Sequence, residues 1–138
     1  MKYQDFVIKD GKFVGEFEIN ASKAMLFPYL STATGLSQWF ADDVNTDNLN
    51  KTLIFLLDGE EKIARIDSLK NNQYVKFTFI SDDENKQDED YIEFRLEINE
   101  LTQSVFIKII EYTETDDLDE LYQIWKNLLS NLKEIIGA

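Results

Sequence analysis

Residues 116–137 read DDLDELYQIWKNLLSNLKEIIG, and the fold follows from how this stretch is patterned. Leu118, Leu121, Trp125, Leu128, Leu129, Leu132, Ile135 and Ile136 recur at spacings of three, four and seven. That is the period of an α-helix with one broad apolar face. Asp116-Asp117 open it, and Asp119 and Glu120 put negative charge in the first turn, where it complements the exposed N–H groups of a helix start. Gly137 follows the last apolar pair, the place of a left-handed C-terminal cap. The pattern predicts a helix over 117–136. At about 1.5–3 kcal/mol per large side chain fully buried, its stripe is worth on the order of ten kcal/mol before entropy is charged. A rod of this kind must lie on a large apolar surface.

The residues upstream supply that surface. Phe13, Gly15, Phe17 and Ile19 fall on one face of a strand, with Val14, Glu16 and Glu18 on the other. Val75, Phe77 and Phe79 oppose Lys76 and Thr78. Ile92, Phe94, Leu96 and Ile98 oppose Tyr91, Glu93, Arg95 and Glu97 in the cleanest alternation of the chain. Val105, Ile107 and Ile109 share a face, and Phe106, Lys108, Ile110 and Tyr112 share the opposite one. Two further strands, near 51–58 and 61–69, meet at Asp58-Gly59, a strong two-residue turn signal, and Asn71-Asn72 marks another turn. The polar run SDDENKQDED at 81–90 reads as a long hairpin loop. Sequential strands with short turns make an antiparallel meander.

Between the first strand and this meander lies a broken helical region. Ser22 is placed to cap a short helix carrying Met25, Leu26, Phe27 and Leu30, and Pro28 inside it is expected to kink it. Gly35 is expected to separate it from a second short helix that ends near Trp39-Phe40.

Composition bounds the function. The chain has 138 residues, no histidine, no cysteine and a formal charge of −13. Single-domain size is implied over 1–138, with 1–11 as an N-terminal extension or an extra strand. Without His or Cys there is no Ser-His-Asp or Cys-His nucleophile system, no Cys/His zinc site and no thiol chemistry. The acidic balance, with lysines scattered, argues against nucleic acid and anionic membranes as partners. No nucleotide-binding or nucleophile-elbow motif occurs, so neither cofactor nor metal is expected. The acidic run Asp82, Asp83, Glu84, Asp88, Glu89, Asp90 lacks the glycine and glutamate spacing of a calcium loop and reads as a solvated loop. The first twenty residues hold no apolar run of signal-peptide length, so a cytoplasmic location is the default expectation.

The order strand, two short helices, six-strand meander, long C-terminal helix resembles the helix-grip fold of the START and birch-pollen-allergen (SRPBCC) superfamily. The stretches Phe17-Glu18-Ile19-Asn20-Ala21-Ser22, Tyr29-Leu30-Ser31-Thr32 and Gly35-Leu36-Ser37-Gln38-Trp39-Phe40-Ala41-Asp42 carry the likeness. So does Trp125-x-x-Leu128-Leu129-x-x-Leu132-Lys133. Together they are similar to the branch of bacterial homologues of the heat-shock ATPase activator domain, as in START-like proteins of Bacteroidetes-type bacteria. Ile124 departs from those activator-type sequences, which tend to carry glycine before the helix tryptophan. The resemblance implies an α+β fold in which a curved antiparallel sheet grips the C-terminal helix. It also implies a cavity between the two, used in relatives for lipids, sterols, polyketides or hormones, while other relatives contact partner proteins. No catalytic residue is carried over.

Three functions remain open: binding of a small hydrophobic ligand in that cavity, contact with a basic protein partner, and cyclase- or dehydratase-type catalysis, the last leaning to no. The chain is expected to be a monomer or a homodimer. Trp39 and Phe40 either gate the cavity mouth or plug the core. Trp125 either stacks on a planar ligand or packs the core, and Phe77 and Phe79 line the same space. Tyr112 and Tyr122 are candidate hydroxyl donors to a ligand. Glu111 continues the row Val105, Ile107, Ile109. Facing inward it would be a carboxyl with a raised pKa and the one candidate acid or base. At a strand end it would merely reach solvent. Glu93, Arg95 and Glu97 alternate in sign and read as a solvated ladder.

Overall fold

The computed structural model describes residues 6–9, 12–81, 89–113 and 117–138, with side chains of 6–9 excepted. Asp82, Asp83, Glu84 and Asp88 of the acidic loop and Asp116 at the helix start lie outside the described residues.

Two strands, β1 (Phe6–Lys9) and β2 (Lys12–Ile19), precede two helices, α1 (Lys23–Ser31) and α2 (Ala33–Trp39). Six strands follow: β3 (Asp43–Asp47), β4 (Thr52–Leu57), β5 (Glu60–Lys70), β6 (Tyr74–Phe79), β7 (Tyr91–Ile98) and β8 (Val105–Tyr112). The chain then enters α3 (Leu118–Ile136). All strands join one antiparallel sheet in the order β1-β2-β8-β7-β6-β5-β4-β3. β1 pairs with β2 at the edge of the sheet. The curved sheet, the paired short helices and the long C-terminal helix are those the resemblance implies.

Registers are those that alternation demands. Phe13 pairs with Glu111, Gly15 with Ile109 and Phe17 with Ile107, so the inward row of β2 meets the inward row of β8. Phe94 pairs with Ile109 and Leu96 with Ile107 on the other side of β8. At the β4–β5 turn both Asp58 (φ 51°) and Gly59 (φ 81°) have positive φ, as a hairpin turn of the mirror-image type requires. Asn72 (φ 61°) supplies the left-handed residue between β5 and β6. A register shift between Ile66 and Ser68 bends β5. On the outer face Arg95 pairs with Glu93, and Lys108 with Glu97, the expected ladder.

α3 is fixed at both ends. The Asp117 carboxylate accepts from the Glu120 N–H at 3.0 Å, and Gly137 (φ 74°) closes the helix with its N–H on the Lys133 carbonyl. Leu121, Trp125, Leu129 and Leu132 are buried against the sheet. Ile135, which the spacing placed in that stripe, is exposed instead, and Leu128 and Ile136 are only half-buried. Eight apolar residues cover a wider arc than one contact surface can bury, so the flanks emerge into solvent.

The paired short helices differ from expectation in where they break. α1 runs through Pro28 without interruption, and Gly35 lies inside α2. The break is at Thr32, which ends one helix and caps the next: its hydroxyl donates to the Pro28 carbonyl at 2.7 Å and accepts from the Gly35 N–H at 3.0 Å. Gly35 is there because α2 approaches α1 at backbone distance. A Cβ on it would stand 2.1 Å from the Pro28 carbonyl oxygen and 2.6 Å from the Tyr29 Cα. Gly35→Ala is therefore expected to force the two helices apart and lower unfolding stability by about 1–3 kcal/mol, read as a reduced urea midpoint at unchanged slope.

Candidate functional site

The space between sheet and α3 is occupied by aromatic rings. Phe40 stacks on Trp125 with centroids 5.8 Å apart, and Phe94 meets the same indole edge-on at 5.7 Å. Phe40 also packs edge-on against Phe55 at 5.6 Å, and Phe77 lies 5.8 Å from Phe55 and 6.3 Å from Phe94. Phe79 joins through Phe55 at 5.9 Å, and Trp39 through Phe94 at 5.8 Å. Such offset and edge-to-face contacts add to what area burial alone contributes. Trp39 and Phe40 are buried, and the Trp39 indole N–H is spent on the Tyr29 carbonyl at 2.8 Å. Both residues are core, yet each also contributes a wall to the groove described below.

Glu111 does face inward. Its carboxylate accepts from the Trp125 indole N–H at 2.7 Å, tying the last strand to the middle of α3. Burial pushes this carboxyl above the ordinary glutamate range; the Trp125 hydrogen bond and Lys62 oppose the shift, and Asp90 adds to it. A strand end that merely reaches solvent is thus overturned. Tyr112 is on the other side: it pairs with Tyr91 and stacks on it at 5.9 Å, on the face turned away from α3. It cannot meet a ligand held between sheet and helix. That outer face also carries an unforeseen network, in which Arg65 binds Asp67 and, with both terminal nitrogens, Glu89, and Thr78 donates to Asp67.

Among the described residues, a groove lies on each flank of α3. The larger, about 630 Å³, lies between α3, the chain leaving α2 and the β4–β5 turn. Its lining is mixed: Trp39, Phe40, Leu57, Ile124, Leu128 and Ile135 supply the apolar part, Gln38 and Asn131 add amides, and Asp42, Asp58 and Glu134 stand around it. The smaller, about 440 Å³, is on the opposite flank, where Tyr122 stacks on Phe17 at 5.8 Å beside Lys126 and Lys133. The predicted ligand residues therefore do not converge. Phe77 and Trp125 are packed inside, Phe79 is half-buried against them, Trp39 and Phe40 reach one groove, Tyr122 reaches the other, and Tyr112 reaches neither. Sequence reasoning missed Leu57 and Ile124. The signal for Ile124 was available, since it precedes Leu128, Asn131 and Ile135 by four, seven and eleven residues, a second row beside the buried stripe.

The START-like superfamily domain model matches residues 7–138. The chain belongs to the START-like superfamily. Solved structures agree on the fold. The Aha1 dimer from Colwellia psychrerythraea aligns with a TM-score of 0.70 at 21% identity, over 89% of this chain and 93% of that one. CalU16 from Micromonospora echinospora aligns at 0.67 and 16% identity, over 91% and 73%. A conserved protein of unknown function from Enterococcus faecalis aligns at 0.64 and 20% identity, over 95% and 75%. No protein with a curated function matches by sequence. Among the described residues of this START-like domain, no helix is long and apolar enough to cross a membrane. The groups able to gather a metal ion give no cluster among them either.

The Glu111–Trp125 bond makes a prediction about pH. A carboxyl held above its unfolded value favours folding below the ordinary glutamate range, and that contribution is lost as pH rises through the folded value. In Glu111→Gln the slope disappears while the amide oxygen still accepts from Trp125. Thermal melts should thus show the variant gaining on the wild type as pH rises from acid to neutral; a gap that stays constant or narrows would refute the assignment. Trp125→Phe removes the donor and is expected to cost about 1–3 kcal/mol.

Proposed function

We propose that this START-like domain acts by contact with another protein, as an adaptor, and not by enclosing a ligand. The observation that carries this reading is the filled interior: the rings of Phe40, Phe55, Phe77, Phe94 and Trp125 occupy the volume that a helix-grip ligand would need. A close-packed core of this kind admits a guest only by moving several rings at once. What the domain offers is its surface, and that surface is strongly acidic, with a net charge of −13. The likeness to Aha1, a heat-shock ATPase activator, supports the same reading at the level of kinship. The partner chemistry that fits is basic, and electrostatic steering would speed its encounter.

A small apolar ligand is the second reading, and the groove of about 630 Å³ favours it, being of the size that small-molecule sites have. Catalysis by Glu111 has less support, because its carboxylate is engaged by Trp125.

Native mass spectrometry of the purified chain, with organic extraction, separates the first two. The adaptor reading expects the bare mass of the polypeptide, no extractable lipid, and capture of a partner from cell extract that weakens as salt screens the charges. A bound molecule of constant mass would favour the ligand reading, and an empty capture at low salt would sink the adaptor.

A further inference from the structure

We infer that the larger groove beside α3 is a docking site for a basic amphipathic helix of a partner protein. The inference rests on the adaptor reading and gives it a place and a chemistry.

Three observations converge. Ile124 and Ile135 are 46% and 43% exposed, large aliphatic side chains left in water on a helix whose other apolar residues are buried or half-buried. With Leu128 they form a row three turns long, about 16 Å at the helical rise, which suits an elongated occupant lying along α3. Facing them are half-buried Leu57 and the edges of the largely buried Trp39 and Phe40, with Gln38 and Asn131 adding polar groups to the lining.

The charges then select the occupant. Asp42, Asp58 and Glu134 are all exposed at the edge of this trough, and neither lysine nor arginine lines it among the described residues. The other flank of α3 is mixed in charge, with Glu16 and Glu18 beside Lys126 and Lys133. At roughly 100° per residue, Lys126 and Lys133 stand about half a turn away from the Ile124–Ile135 row, beside the other groove. An exposed aliphatic row with an anionic rim fits a helix that carries leucine or phenylalanine at positions three and four apart, with lysine or arginine on either side of that stripe. It disfavours an acidic or purely polar segment, whose charges would meet like charges at the rim.

The test uses the full chain and a labelled synthetic helical peptide of about four turns, with leucines on one face and lysine and arginine flanking them. A second peptide keeps the leucines and replaces each cation by glutamate. Fluorescence anisotropy should show binding of the basic peptide only, weakening with salt. The amide shifts on binding should be confined to α2, the β4–β5 turn and the Ile124–Ile135 row. Ile124→Ser with Ile135→Ser should weaken binding about tenfold or more, with the fold intact because both side chains are already exposed. Asp42→Lys with Glu134→Lys should abolish the preference for the basic peptide and move it toward the acidic one. Equal binding of both peptides, shifts centred on the Lys126–Lys133 flank, or indifference to the isoleucine pair would each overturn the assignment. Capture from extract by the same variants separates the two levels. A partner retained by the double serine variant leaves the adaptor standing and this groove refuted, whereas a wild-type chain that captures nothing removes the adaptor itself.

Discussion

One indole holds the molecule together. Trp125 is buried under Phe40 and against Phe94, and its N–H reaches Glu111 on the last strand. Through these contacts α3 is locked at once to the α2–β3 connection, to β7 and to β8. Removing the ring would open a cavity in the core, and removing only the N–H would leave a carboxylate in poor solvent without a donor. Every other feature of the interior is arranged around this wedge: the inward rows of β2, β7 and β8, the close approach of α2 permitted by Gly35, and the turn at Asp58-Gly59 that brings Leu57 back toward the helix.

Much of this was legible in the residues. The period of three and four over 117–136, the alternation at 91–98 and 105–112, and the Asp-Gly turn each specify local geometry through strong, short-range physics, and each appears where expected. The break between α1 and α2 was misplaced because Gly35 looked like a helix breaker. Its role is tertiary: a glycine is needed where two backbones come within contact distance, and only the packed structure shows which backbone is near. Thr32, which does break the helices, carries the weaker signal of a single hydroxyl serving one carbonyl and one amide N–H.

The site was less legible, for a reason that is also physical. Trp39, Phe40, Phe77, Phe79 and Trp125 are the residues one would choose for a cavity wall, and they are equally the residues that fill one. Whether rings leave a void depends on volumes summed over the whole interior, which no local pattern encodes. Tyr112 failed on simpler grounds, since it stands one residue out of phase with the inward row that ends in Glu111. Glu111 itself was readable from that same phase.

The filling of the interior and the exposure of Ile124 and Ile135 have a common origin in the width of the apolar arc on α3. A helix gripped by a concave sheet can bury about one face of side chains, here Leu121, Trp125, Leu129 and Leu132. The sequence carries more apolar residues than that face holds, and Ile124 and Ile135 form a row on the flank lined by carboxylates alone, while Lys126 and Lys133 stand on the other flank beside Glu16 and Glu18. Ile124 and Ile135 are only partly buried, so they draw less folding energy from burial than the residues of the stripe. A stability argument therefore accounts for the buried stripe and stops there. The flanking row is what the proposed docking would use: the part of Ile124 and Ile135 that still meets water would be covered when a partner helix lies along them.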